Sequence, residues 1–158
     1  MRKLRKPIIE IIAQNILDAI NQITTANGFH QDLSAYRPRR NDFADVVPQN
    51  GTVLVVQSDE EDVEGAYGTD EWRQSFVLMA MVIDSDKATP QETIDTKINT
   101  IRADVQKKLA EDVTRGGYAI DTINRGSALF ADGPKFTGVA IVVEIHYRTK
   151  NNDPYSKA

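Results

Sequence analysis

The 158-residue chain has no cysteine. That absence removes disulfides, thiolate metal sites and cysteine nucleophiles, and it suits folding in a reducing cytoplasm. Long apolar runs are also missing. The longest, residues 76–83 (FVLMAMVI), is far shorter than the ~20 residues a membrane-spanning helix needs. Basic surplus is absent as well: 19 Lys and Arg stand against 23 Asp and Glu, a net charge of −4. A duplex-binding module ordinarily carries the opposite imbalance, because neutralising phosphates supplies most of its affinity. The sequence contains no HExxH, P-loop, GxGxxG or GxSxG pattern, no internal repeat and no low-complexity tract. What is present is ordinary globular usage, 41% hydrophobic and 27% charged, in a length that suits one domain with a sizeable core. These features exclude a disordered tail, a secreted mini-protein and a membrane protein. They name no function.

The charges that exist are segregated. Arg2, Lys3, Arg5 and Lys6 crowd the N-terminus, and Asp59, Glu60, Glu61, Asp62 and Glu64 form an acidic block. The basic start resembles the opening of a secretion signal. Glu10 interrupts the apolar stretch behind it and no small-residue cleavage site follows, so no signal peptide is expected.

Apolar periodicity predicts the elements. Residues 7–24 read as a helix with Pro7 at its first position and Ile8, Ile9, Ile12, Ile16, Ala19, Ile20 and Ile23 along one stripe, stopped by Asn27-Gly28. Residues 29–36 read as a weakly alternating strand broken by Arg37-Pro38-Arg39-Arg40, and residues 52–57 (TVLVVQ) as a buried strand. The acidic block 59–64 is expected to be a solvated loop. Residues 71–83 read as a long strand whose even positions, Trp72, Phe76, Leu78, Ala80 and Val82, are interrupted by Gln74. Val77, Met79 and Met81 make its other face apolar too. Such a strand is either covered on both sides or presents one face to a partner chain. A second helix is expected from a Thr89 cap, Pro90 and Glu92 through Ile94, Ile98, Ile101, Val105 and Leu109 to Gly116-Gly117. Strands at 119–124 and 136–148 follow, separated by a loop at 125–135, and residues 149–158 read as a flexible polar arm beyond a single domain of residues 1–148. Strands that cluster instead of alternating with helices predict an α+β fold: a mostly antiparallel sheet with two helices on one face.

Chemistry-bearing residues are sparse. His30 and His146 stand alone in separate predicted strands, where a half-buried structural role outweighs metal ligation. The acidic block lacks the alternating oxygens, central glycine and terminal glutamate of a calcium-binding loop. Asp84 and Asp86, followed by Lys87, faintly echo the carboxylate pattern of metal-dependent nucleases, but no further carboxylate completes it. A solvated turn ahead of a helix N-terminus, favoured by the helix dipole, is the preferred reading, with a small metal-dependent nuclease as the lesser alternative.

The layout across nearly the whole chain resembles the tail terminator family of long-tailed bacteriophages, including minor tail proteins of the lambda U type. The resemblance is carried by an Ile-rich opening helix ending at Asn27-Gly28-Phe29, the apolar strand 52–57, an acidic segment, and the strand opening Glu71-Trp72 and running through Phe76. It continues in the helix bearing Ile94, Ile98, Ile101, Val105 and Leu109 and the closing strand from Gly138 to Tyr147 and Arg148. The resemblance implies a structural virion protein without catalytic residues or cofactor. It would form a ring, usually of six copies, that caps the tail tube, ends its polymerisation and meets the head-tail connector at the neck. DNA would pass through without specific binding, and no membrane would be involved. Another head-tail connector or tail completion protein of similar size would share this layout. Six copies at −4 each give −24, and an acidic conduit would not grip phosphates. On this reading the block 59–64 lines or flanks the bore. Subunit and tube contacts fall to Arg2, Lys3, Arg5, Lys6, Trp72, Val77, Met79 and Met81, with an ordering role for the 149–158 arm on docking.

Overall fold

Isoleucine is a mediocre helix former, so the opening stripe of isoleucines is useful only against a platform. The computed structural model, which describes residues 4–39, 49–83, 93–132 and 136–158, supplies that platform as a curled β-sheet. Helix α1 (Ile8–Asn21) buries Ile8, Ile12, Ala13, Ile16 and Ile20. Pro7 is its N-cap, and the Pro7 carbonyl accepts from the Glu10 and Ile11 N–H groups. The helix stops three residues before the expected end. A 3-10 turn (Thr25–Asn27), capped by the Thr24 side chain, follows it and closes on left-handed Gly28.

Strand β1 (Ser34–Tyr36) is the short remnant of the expected 29–36 strand. It runs parallel to β2 (Thr52–Val63), which turns back antiparallel into β3 (Thr69–Val82). Helix α2 (Ile94–Ala110) follows, then β4 (Asp121–Asp132), β5 (Phe136–Lys150) and β6 (Asp153–Lys157). The sheet order is β1-β2-β3-β5-β4, with β6 also pairing β5. This is the expected α+β architecture, mostly antiparallel. The two helices pack on the face bearing Val53, Val55, Phe76, Leu78, Ile141 and Val143. Fully burying each such side chain stabilises by roughly 1.5–3 kcal/mol.

Four further segments differ from expectation, each for a local reason. The N-cap of α2 is Thr93, whose hydroxyl accepts from the Thr96 N–H; Thr89, Pro90 and Glu92 lie outside the described residues. The acidic block is not a loop. It continues β2 to Val63, because Glu60, Glu61, Asp62 and Val63 stay in register with Gln74, Arg73, Trp72 and Glu71. The expected loop at 125–135 is strand up to Asp132, interrupted only by a bulge at Arg125 where Gly126 takes φ 106°. The 149–158 segment is not a free arm. Thr149 and Lys150 complete β5, Asn152 adopts a left-handed φ of 57°, and β6 folds back onto β5. The turn is pinned by the Asn151 N–H to the Gly68 carbonyl and by the Asn152 N–H to the Asp70 carboxylate.

Candidate assembly interface

Three surfaces carry the residues singled out from the sequence. The first is the outer end of the β2–β3 hairpin. Residues 58–62 and 64–68 are exposed, so Asp59, Glu61, Asp62 and Glu64 project into solvent. Strand β1 covers β2 only opposite Thr52, Val53 and Leu54. Among the described residues, the outer edge of β2 beyond Leu54 has no strand beside it.

A bulge between Gln57 and Glu60 shifts the register there. It is held by a residue that sequence reasoning could treat only as a break in the apolar face. The Gln74 side chain is buried, and its amide nitrogen reaches the carbonyls of Ser58 (2.8 Å), Asp59 (3.2 Å) and Ser75 (3.0 Å). Its oxygen accepts from Gln57 Nε2 at 3.2 Å. The bulge turns Glu60 to the helix side, where its carboxylate accepts a 2.6 Å hydrogen bond from the phenol of buried Tyr147. Glu60 is therefore committed within its own chain, unlike the other four acids of the block.

The second surface lies at the same end of the sheet, on its other side. Arg5 and Lys6, exposed on the lead-in to α1, join Tyr118, Lys150, Tyr155 and Lys157 around an open groove of about 430 Å³. The ammonium of Lys157 sits 5.6 Å from the centre of the Tyr118 ring. The Asp153 pKa is lowered, first by the Ser156 side chain and the Tyr155 N–H and then by two of these cations, Arg5 and Lys150. The sequence signalled Arg5 and Lys6 but not their four companions, of which the β5–β6 turn supplies Tyr155 and Lys157. Arg2 and Lys3 lie outside the described residues.

The third surface is the sheet face away from the helices. Val77 and Met79 are half-buried there, beside Ala140 and Val142 of β5. Met81 was expected on this contact surface but is fully buried within its own chain, as is Leu54, so it offers nothing to a partner. Trp72 stands on the even face of the strand with Phe76, as its spacing predicts, and is partly exposed. It lies on the helix side, packed against the core, with its indole N–H directed at the Thr149 hydroxyl (3.4 Å). Farther along the far face the surface becomes ionic. Glu144 accepts from Arg125 (2.8 Å) and meets His146 Nε2 at 2.6 Å. These partners, Arg125 foremost, hold the Glu144 carboxyl below its ordinary pKa.

His30 is occupied differently. Its N–H and its Nδ1 both lie 3.1 Å from oxygens of Asp104, a buried carboxylate on α2. Neither histidine stands among metal-ligating neighbours, and among the described residues no group of three or more His, Asp or Glu comes together to hold a metal ion. Asp84 and Asp86 lie outside the described residues. No helix among the described residues is long and apolar enough to cross a membrane. No protein-family model matches the chain, and no curated protein matches it.

Proposed function

We propose that this chain is a structural virion protein, a phage tail terminator. In this reading several copies, six in the family it resembles, close into a ring on the end of the tail tube. The ring stops tube polymerisation and offers the head-tail connector its docking face, and DNA passes through its centre without specific contacts. The protein is made in the host cytoplasm and resides in the neck region of the virion. The observation that carries the reading is the division of labour between the two faces of the sheet. One face is sealed by α1 and α2, while the other leaves Val77, Met79, Ala140 and Val142 half-exposed in a continuous strip. A contiguous apolar patch left open on a sheet face is the kind of surface that another molecule covers.

Native mass measurement of the purified protein, alone and on isolated tail tubes, tests the reading. A ring of defined copy number at the tube end is expected, with tubes of uncontrolled length when the protein is omitted. Tubes of normal length without it, or turnover of a substrate, would overturn the proposal. A ring found on the head side alone would identify a connector instead.

A further inference from the structure

The two charged surfaces sit at one end of the sheet but on opposite sides of it. The strand sequence β2-β3-β5-β6 separates them, because β6 continues the edge that β4 occupies farther along β5. At about 4.8 Å per strand, two steps separate the acids of β2 from Lys150 on β5 and three separate them from Lys157 on β6, roughly 10–14 Å. Asp59, Glu61, Asp62 and Glu64 make no ion pair with any described residue. Neither do Arg5, Lys6 and Lys150. The molecule thus carries an anionic projection without an ion pair and, at the opposite edge, a cationic recess in which Asp153 is the carboxylate that Arg5 and Lys150 act on.

We propose that the basic groove of Arg5, Lys6, Lys150 and Lys157 receives the acidic end of the β2–β3 hairpin from a second copy of this chain. The contact is heterologous: each copy gives its hairpin to one neighbour and its groove to the other. Contacts of that type run around a ring when the rotation closes, and along a filament when it does not. The groove suits an extended acidic segment. Its cations line an open channel, Tyr118 and Tyr155 supply apolar walls, and the N-terminal end of α1 adds its partial positive charge. This assigns the acidic segment to the neighbouring subunit in place of the bore. The ring geometry rests on the proposed function; the contact itself does not.

Charge exchange tests it. One variant reverses the groove (Arg5→Glu, Lys6→Glu, Lys157→Glu), a second reverses the hairpin (Asp59→Lys, Glu61→Lys, Asp62→Lys), and a third carries both sets and so keeps the wild-type net charge. Glu60 is left alone because it bonds Tyr147. All substituted residues are exposed, and circular dichroism with thermal melting verifies that each variant folds. Self-association is followed by sedimentation velocity at about 0.1 M salt. Wild type is expected to associate, and each single-set variant to associate at least tenfold more weakly, a loss on the order of that from turning several attractions into repulsions. The double-set variant and an equimolar mixture of the two single-set variants should both recover association. Raising salt to about 1 M, which shortens the screening length from about 10 Å to about 3 Å, should weaken the wild-type contact.

Wild type that stays monomeric at low salt would overturn the proposal. So would single-set variants that associate like wild type, and in that case closed rings would leave the terminator reading standing. Recovered association that yields open filaments would support the contact and sink the ring. A groove that binds duplex DNA, and loses it on reversal, while the hairpin variant associates normally, would overturn the proposal in favour of a nucleic-acid site.

Discussion

The phenol of Tyr147 on β5 donates a 2.6 Å hydrogen bond to Glu60 on β2, reaching across the whole width of β3. It joins the end of the buried core to the acidic segment of the hairpin. Burial above all, and the Glu60 carboxylate next, push the Tyr147 pKa well above that of an ordinary phenol. The folded chain therefore holds this proton at a pH where the unfolded chain releases it. The corresponding stability is intact below about pH 10 and is lost as pH rises from there toward the folded value. Tyr147→Phe should cost about 1 kcal/mol near neutrality and flatten the decline in melting temperature above about pH 10. Thermal melts across that range check both.

Among the described residues, Gln74 is the only side chain whose amide reaches both carbonyls of the β2 bulge, Ser58 and Asp59. Gln74→Leu fills the site but strands those acceptors against an apolar group. The expected loss is about 1–3 kcal/mol, with amide exchange accelerated first at residues 57–62. Equal protection in variant and wild type would show that the bulge holds without it.

Asp104 ties the middle of α2 to the segment after α1 through the His30 N–H, His30 Nδ1 and Gln31 Nε2. Asp104→Ala leaves the His30 N–H without its acceptor and opens a gap in the buried side of α2. A destabilisation of about 1–3 kcal/mol in urea unfolding is expected, with Asp104→Asn recovering part of it.

Gly138 sits beneath the ring of Phe130, its cross-strand partner on β4. A Cβ there would collide with that ring and would lie 2.5 Å from the Ala80 carbonyl oxygen. Gly138→Ala should lower stability by about 1–3 kcal/mol, and adding Phe130→Ala should relieve only part, because the Ala80 backbone cannot withdraw. Denaturant midpoints of the single and double variants decide this.

The helices and central strands were legible because their apolar periods are long: Ile8, Ile12, Ile16 and Ile20 in α1, and Val139, Ile141, Val143, Ile145 and Tyr147 in β5. What escaped was structure that polar residues build with distant partners. Asp59 to Asp62 look like a loop locally, since their strand character comes from pairing with β3. Gln74 reads as an interruption until the bulge it bonds is known, and Asp104 as an ordinary polar helix residue until His30 is placed beside it. The groove is illegible for the same reason. Tyr118 and Lys150 come from distant parts of the chain, and Tyr155 and Lys157 join Arg5 and Lys6 only after the chain reverses at Asn152, where one left-handed asparagine is a weak signal.

The register shift between Gln57 and Glu60 has a consequence for how this surface can vary over generations. Side chains along a strand alternate between its two sides, so one extra residue exchanges the side on which every later position stands. Losing a single codon in that stretch would leave the acidic composition nearly untouched while presenting the mirror set of carboxylates outward. Lineages could change neighbours this way by slipping one position, without altering the number of charges they carry.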